Sequence, residues 1–238
     1  MSSPVLCYIT DRRQLKSAPL ALIMREALRA GVDMLQVREK DLPTRELMAL
    51  VQEAVSAAGE ISAVAASRLP NQHDHPTQQG VILSEAKDLR SSSPIRCCVL
   101  VNDRLDVALA TKADGVHLGG QSMPAIAVRQ MTPRPFVIGV SCHSWGEAIA
   151  AESAGADYVL FGPIFATPSK LKYGPPLGLD GLRKVASGIR VPVLALGGIT
   201  KERVRPCLEA GAAGIAGIRI FQDCESVEAL VRELRAQA

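Results

Sequence analysis

Aromatic side chains are scarce in this chain, 3% of its 238 residues, and that scarcity excludes a core built on stacked rings. Hydrophobic residues still make up 47%, so the interior falls to Ala, Val, Leu and Ile, which suits parallel strands covered by Ala-rich helices. Long apolar runs are missing too. Nothing approaches the ~18 residues that cross a bilayer, and the opening MSSPVLCYITDRR lacks both the apolar stretch and the small-residue cleavage site of a secretory signal. The expectation is a cytoplasmic protein without membrane partners. Charge is nearly balanced, at a net +3, which falls short of a nucleic-acid binder's basic footprint but leaves room for an anionic small molecule. The six cysteines (Cys7, Cys97, Cys98, Cys142, Cys207, Cys224) include no CxxC pair and no His at zinc-finger spacing. Neither a disulfide framework nor a zinc site is indicated, and the thiols read as small core residues.

What is present is rhythm. Short β-rich runs start near Val5, Met34, Arg96, Gly115, Phe136, Asp157, Pro192 and Gly214, the last as GIAGIRI, and between them lie helix-like segments such as LALIMREALRA, TRELMALVQEAV, LDVALA, GEAIAAESA, LDGLRKVA, KERVRPCLEA and VEALVRELRA. About eight βα repeats in this length predict a single-domain (β/α)₈ TIM barrel. An open doubly wound sheet is the alternative, but no GxGxxG follows the first strand. Helices close repeatedly on an Ala-Gly step (Ala30-Gly31, Ala154-Gly155, Ala210-Gly211), read as glycine C-caps. One stretch breaks the rhythm: about 61–94, between the second helix and the third strand, is too long for an αβ connection and reads as an insertion away from the catalytic face. Its His73 and His75 read as loop residues rather than metal ligands.

In such a barrel chemistry gathers at the C-terminal ends of the strands. After the second strand comes Gln36-Val37-Arg38-Glu39-Lys40. Period-two alternation sends Gln36, Arg38 and Lys40 to one side, two cations and an amide suited to an anion. A Glu39 ion pair at a solvated strand end is the competing explanation. The third strand ends in Asn102-Asp103-Arg104, where a carboxylate beside a phosphate-binding cluster could hold Mg²⁺, although Asp103 could also cap the next helix. The fifth strand ends in Ser141-Cys142-His143-Ser144. The sixth runs into Thr167, Ser169 and Lys170, the seventh into Gly197-Gly198, and the eighth into Ile218-Arg219. Hydroxyls, a cation and exposed backbone N–H groups there suit a second phosphate. Adjacent Cys142 and His143 should face opposite sides of a strand and make no nucleophile-base pair.

The segments QVREKD, VNDRLDVALATKADGVHLG, IGVSCHS, GADYVLFGPIFATPSK, LGGIT and AGAAGIAGI together resemble the thiamine phosphate synthase and TenI superfamily over nearly the whole chain apart from the insertion. The resemblance implies a transferase joining a pyrimidine-methyl diphosphate to a thiazole phosphate with release of pyrophosphate. It implies that Gln36, Arg38, Lys40, Asn102, Ser141 and Lys170 hold the pyrimidine diphosphate, with Arg38, Lys40, Lys170 and Ser141 acting in catalysis. Asp103 would bind Mg²⁺, and Thr167, Ser169, Gly197, Gly198, Ile218 and Arg219 would meet the thiazole phosphate. Two positions depart from the family pattern. Ser122 stands where synthases usually carry a second metal Asp, and Arg219 stands where they usually have Ser. The TenI-like alternative is a metal-independent thiazole tautomerase with His143 as its base, and a further one is a non-catalytic regulator that binds thiamine-pathway ligands. Partners are thus small phosphorylated molecules, with homo-oligomerisation left open.

Overall fold

The computed structural model describes residues 3–15, 18–67, 97–166 and 175–237. Eight parallel strands, β1 (Val5–Ile9), β2 (Met34–Val37), β3 (Cys98–Asn102), β4 (Gly115–Leu118), β5 (Val137–Cys142), β6 (Tyr158–Phe161), β7 (Val193–Leu196) and β8 (Gly214–Gly217), close into a barrel in chain order. The helices are α1 (Leu20–Ala30), α2 (Thr44–Ser67), α3 (Leu105–Thr111), α4 (Ala125–Met131), α5 (Trp145–Ser153), α6 (Gly178–Gly188), α7 (Lys201–Glu209), the short α8 (Arg219–Gln222) and α9 (Val227–Arg235). No helix among the described residues is long and apolar enough to cross a membrane.

Strand alternation sorts the apolar residues into layers. Cys7, Ile9, Met34, Leu100, Tyr158, Leu160, Leu194 and Ala216 pack together inside the barrel. Their strand neighbours Leu6, Tyr8, Leu35, Val37, Val99, Val101 and Val159 pack against helices such as α1 and α2. Continuing the inward set by two residues reaches Gln36 above Met34, Asn102 above Leu100 and Ser141 two beyond Gly139, so the same period that builds the core delivers polar side chains to the mouth. Gly139 is required for close approach: a Cβ there would fall 2.1 Å from Cζ of Tyr158.

The opposite, N-terminal end is held by a recurring device. A left-handed residue, one apolar residue and an Asp precede β2 (Gly31, φ 86°, then Asp33), β4 (Lys112, φ 56°, then Asp114) and β6 (Gly155, φ 87°, then Asp157). Each carboxylate accepts a backbone N–H of the preceding strand: Leu6 to Asp33 at 2.7 Å, Val99 to Asp114 at 2.8 Å and Ile138 to Asp157 at 2.7 Å. Before β8 the same place, after Gly211 (φ 93°), holds Ala213, which has no side chain to do this.

Two sequence boundaries shift and one helix is added. Residues 61–67, read as the start of the insertion, belong to α2; the remainder of that stretch, with His73 and His75, lies outside the described residues. The run GIAGIRI is not strand throughout, because Ile218 turns into helical backbone (φ −102°, ψ −70°) and α8 begins at Arg219. Gly217 permits the turn, since a Cβ there would lie 2.6 Å from Cγ2 of Ile220. Finally, α4 forms from AIAVRQM, a segment short enough to be missed among the sequence helices.

Candidate functional site

Gln36 is almost fully buried, at 1% exposure, close enough to the Tyr158 hydroxyl to favour its ionised form, but its Nε2 makes no hydrogen bond of good geometry among the described residues. A buried donor without an acceptor is costly unless something else supplies one. One pleat further on, Arg38 is half-buried at the mouth, and no carboxylate pairs with its guanidinium among the described residues. Its backbone N–H donates to Oγ1 of the buried Thr10 at 2.9 Å. The Glu39 ion pair considered above does form, but outward: Glu39 is buried against the β1 loop, accepting from the Arg12 N–H at 3.1 Å on both oxygens and lying 3.5 Å from Nη1 of Arg12. Beyond it Lys40, in the turn after β2, reaches across to Asp103, Nζ to Oδ2 at 3.8 Å. Asp41 is gripped by Arg12 (2.5 and 2.8 Å) and Arg13 (2.7 and 3.1 Å), and the Arg12 contact chiefly holds its carboxyl well below the usual range.

Asp103 follows β3 in the left-handed region (φ 63°), uncommon for a residue with a side chain. It does not cap α3; the cap position is Arg104, without a side-chain cap bond. Its carboxylate turns to the mouth instead. Asn102 Nδ2 donates to Oδ2 at 2.6 Å, and the Ser122 hydroxyl donates to Oδ1. The direction follows from Gly119, whose N–H donates to Ser122 Oγ at 2.6 Å and leaves the hydroxyl proton for Asp103. A cleft of about 260 Å³ beside it is lined by Glu39, Lys40, Asn102, Asp103 and Arg104 with apolar Val37, Leu42 and Leu47.

Within the barrel a polar chain supports the mouth. His117 on β4, 2% exposed, contacts the Tyr158 hydroxyl through Nδ1 at 2.9 Å and Ser141 Oγ through Nε2 at 2.8 Å. Burial pushes its pKa down to about 3; Asp103 pulls upward and Arg38 adds to the lowering. The ring is therefore neutral, with one donating and one accepting nitrogen. Burial also raises the Tyr158 hydroxyl well above its usual range. Ser141 thus has its orientation set from below.

Across the mouth, Gly197 (φ 94°) and Gly198 (φ 66°) follow β7. Side chains there would strike Pro163 at 2.6 Å and Phe165 at 2.8 Å, so glycine is required on both counts. Arg203 donates to the Gly198 carbonyl at 2.7 Å and lies over the Phe165 ring at 4.6 Å. Ile218 is half-buried, whereas Arg219 is exposed and ion-paired to Asp223 at 3.0 Å. Thr167, Ser169 and Lys170 lie outside the described residues. Cys142 packs outward into the core, its pKa pushed up to about 12 by burial, while His143 is exposed with its N–H on Glu147 at 2.7 Å and Nδ1 at 3.4 Å from the same oxygen. The two side chains diverge, as expected. None of the six cysteines is in a disulfide.

The structure therefore gathers Gln36, Arg38, Lys40, Asn102, Asp103 and Ser141 at one side of the mouth and Gly197, Gly198 and Ile218 at the other strand ends. Reading by strand ends passed over Thr10, Arg12, Asp41 and Tyr158 and gave His117 no role. The signals were there: His117 interrupts an apolar strand at an inward position, and DRR opens the first βα loop.

A family model described as thiamine monophosphate synthase matches residues 77–221. The thiamine-phosphate synthase of Chlorobium luteolum is 38% identical over 98% of this chain and 92% of its own, and that of Roseiflexus sp. is 37% identical over 98% and 84%. Among solved structures, thiamine phosphate pyrophosphorylase from Pyrococcus furiosus superposes with a TM-score of 0.75 at 34% identity, covering 98% of this chain and 94% of that one. With a closed eightfold barrel and relatives matched nearly end to end, this chain belongs to the thiamine monophosphate synthase family.

Proposed function

We propose that the chain is a transferase that couples 4-amino-2-methyl-5-(diphosphooxymethyl)pyrimidine to thiazole phosphate, yielding thiamine phosphate and pyrophosphate. The observation that carries the reading is the half-buried Arg38, whose guanidinium meets no carboxylate among the described residues, one pleat beyond the buried Gln36 Nε2, which makes no hydrogen bond there. A buried N–H seeking an acceptor suits a polar heterocycle, and the cation above it suits the diphosphate that the heterocycle carries.

Departure of the diphosphate leaves a cationic carbon and an anionic leaving group. Arg38, Lys40 and Lys170 stabilise the departing charge where it develops. Ser141, held by His117, adds a hydroxyl whose direction is fixed beforehand. Gly197, Gly198 and Ile218, with Thr167, Ser169 and Arg219, hold the thiazole phosphate through backbone N–H groups, hydroxyls and charge. Coupling requires that the thiazole nitrogen be held within ~3 to 3.5 Å of the carbon. No side chain need attack.

Mg²⁺ suits the donor set. Asp103 brings a carboxylate to the mouth, and Asn102 carries an amide oxygen besides the Nδ2 that donates to it; among the described residues no cluster of three His, Cys, Asp or Glu is present. Mg²⁺ accepts one or two carboxylates when substrate phosphate and water complete its shell. When bound, it would neutralise diphosphate charge, with Asp103 and Asn102 as protein ligands. On this reading the protein works in the cytoplasm on small phosphorylated molecules.

The test is an assay of the purified protein with both substrates, with and without chelator. Coupling that needs Mg²⁺ and falls at least 100-fold in Arg38→Ala, with the fold intact by circular dichroism, is the expected result. Near-normal turnover in Arg38→Ala would remove the diphosphate assignment. No coupling, but isomerisation of thiazole phosphate that is lost in His143→Ala, would make the protein a tautomerase.

A further inference from the structure

The segment Arg38-Glu39-Lys40-Asp41 alternates charge, and each cation has an acid beside it in sequence. Left to themselves, Glu39 and Asp41 would compete with any anionic ligand for Arg38 and Lys40. The fold separates them. Glu39 is turned to the outside of the barrel, its carboxylate 1% exposed, against the Arg12 N–H and guanidinium. Asp41 is taken in a two-pronged contact by Arg12 and a second by Arg13. The loop presenting these arginines is itself tied down: Thr10 donates its N–H to the Gln36 carbonyl at 2.9 Å, Arg13 N–H donates to Asp11 at 3.1 Å, and Gln222 donates to the Asp11 carbonyl at 3.2 Å. Geometry of this kind, a planar fork on a carboxylate, is what distinguishes a defined ion pair from a passing surface contact.

We propose that Arg12 and Arg13 are positioning residues that sequester Glu39 and Asp41 and so keep the charges of Arg38 and Lys40 available to a diphosphate. They touch no ligand themselves. Their effect is exerted through the two acids, and it rests on the assignment of Arg38 and Lys40 to the diphosphate made above. A consequence follows for specificity: only the ligand whose charge meets Arg38 and Lys40 should feel the loss of the two arginines, while the thiazole phosphate across the mouth should not.

The test uses inorganic pyrophosphate as the probe, titrated calorimetrically in the presence of Mg²⁺, alongside steady-state kinetics. Arg12→Gln/Arg13→Gln should weaken pyrophosphate binding about five- to tenfold and raise KM for the pyrimidine diphosphate by a similar factor, with KM for thiazole phosphate unchanged. Adding Asp41→Asn to that variant should recover most of the loss, because Glu39 still accepts from the backbone N–H of residue 12 and no liberated acid then remains beside Lys40. A residue needed only for folding would show no such recovery. Asp41→Asn alone, which keeps both arginines, should bind pyrophosphate within twofold of wild type or more tightly. Unchanged binding in the double variant, a loss that Asp41→Asn does not relieve, or an equal loss in Asp41→Asn alone would each overturn the proposal. Arg38→Ala in the same titration separates the two levels: if it binds pyrophosphate like wild type, the diphosphate assignment itself fails. If it loses binding while the Arg12/Arg13 variants do not, only the sequestering role fails.

Discussion

Ser122 and Asn102 bear directly on the metal role proposed for Asp103. Both donate to its carboxylate, one to each oxygen, which stabilises the charged form but occupies part of each oxygen's capacity. A second carboxylate at 122 would face Asp103 in place of the hydroxyl and be relieved by a divalent cation. Ser122→Asp should therefore tighten Mg²⁺ binding roughly tenfold, measured by displacement of Mn²⁺ in paramagnetic resonance with pyrophosphate present, and at least preserve turnover. Asp103→Asn should abolish Mg²⁺ dependence together with most activity, and full activity in that variant would remove Asp103 from the metal site. His117 carries a different prediction. Its native pKa of about 3 lies below the ~6.5 of an unfolded histidine, so as pH falls through that window the unfolded chain binds a proton that the folded chain refuses. Stability from the neutral ring is complete above about pH 6.5 and is lost by roughly 1.4 kcal/mol per unit toward pH 3. The gap between wild type and His117→Gln in urea denaturation should thus narrow by about 2 kcal/mol between pH 7 and pH 5. A pH-independent gap would mean that the imidazole titrates normally.

The Asp that precedes each of β2, β4 and β6 ties the start of one strand to its neighbour, and Asp157 is the most heavily engaged. Its carboxylate is 1% exposed and meets Arg129 at 2.5 Å, Arg134 and the Ile138 N–H. Removing one partner of a buried pair leaves the other uncompensated, so Asp157→Ala should cost about 3 kcal/mol. Because Asp157 lies at the opposite end of β6 from the mouth, turnover of the folded variant should stay within a few-fold of wild type. A chemical-denaturation series with parallel assays checks both, and a large loss of turnover at preserved stability would show coupling between the two ends. The same local patterns explain what was readable. The αL glycines after α1, α5 and α7 were legible because a C-cap is a short-range event. The end of β8 was not: Ile218, Arg219 and Ile220 alternate like a strand, yet the chain turns into α8 there, with Ile220 folded so close to Gly217 that a side chain at 217 would clash.

The barrel as an assembly divides its labour between two ends. The connection from α2 re-enters at Cys98, the N-terminal end of β3, while Asn102 and Asp103 stand at the C-terminal end of that strand. Deleting residues 72–92, which lie outside the described residues, should accordingly leave coupling activity within a few-fold, and a deletion variant that folds but is inactive would overturn that separation. From the sequence by itself came the eight βα units, their order, the family resemblance and the strand-end locations of Gln36, Arg38, Asn102 and Ser141, because strand period and strand ends are properties of a few consecutive residues. Tertiary structure alone decided which charges stay free. Arg12 meets Asp41 across 29 positions, His117 meets Tyr158 across 41 and Ser141 across 24, and Ser122 meets Asp103 across 19. Those pairings are set by strand register and loop closure in the completed barrel, where neighbours in space are not neighbours in the chain.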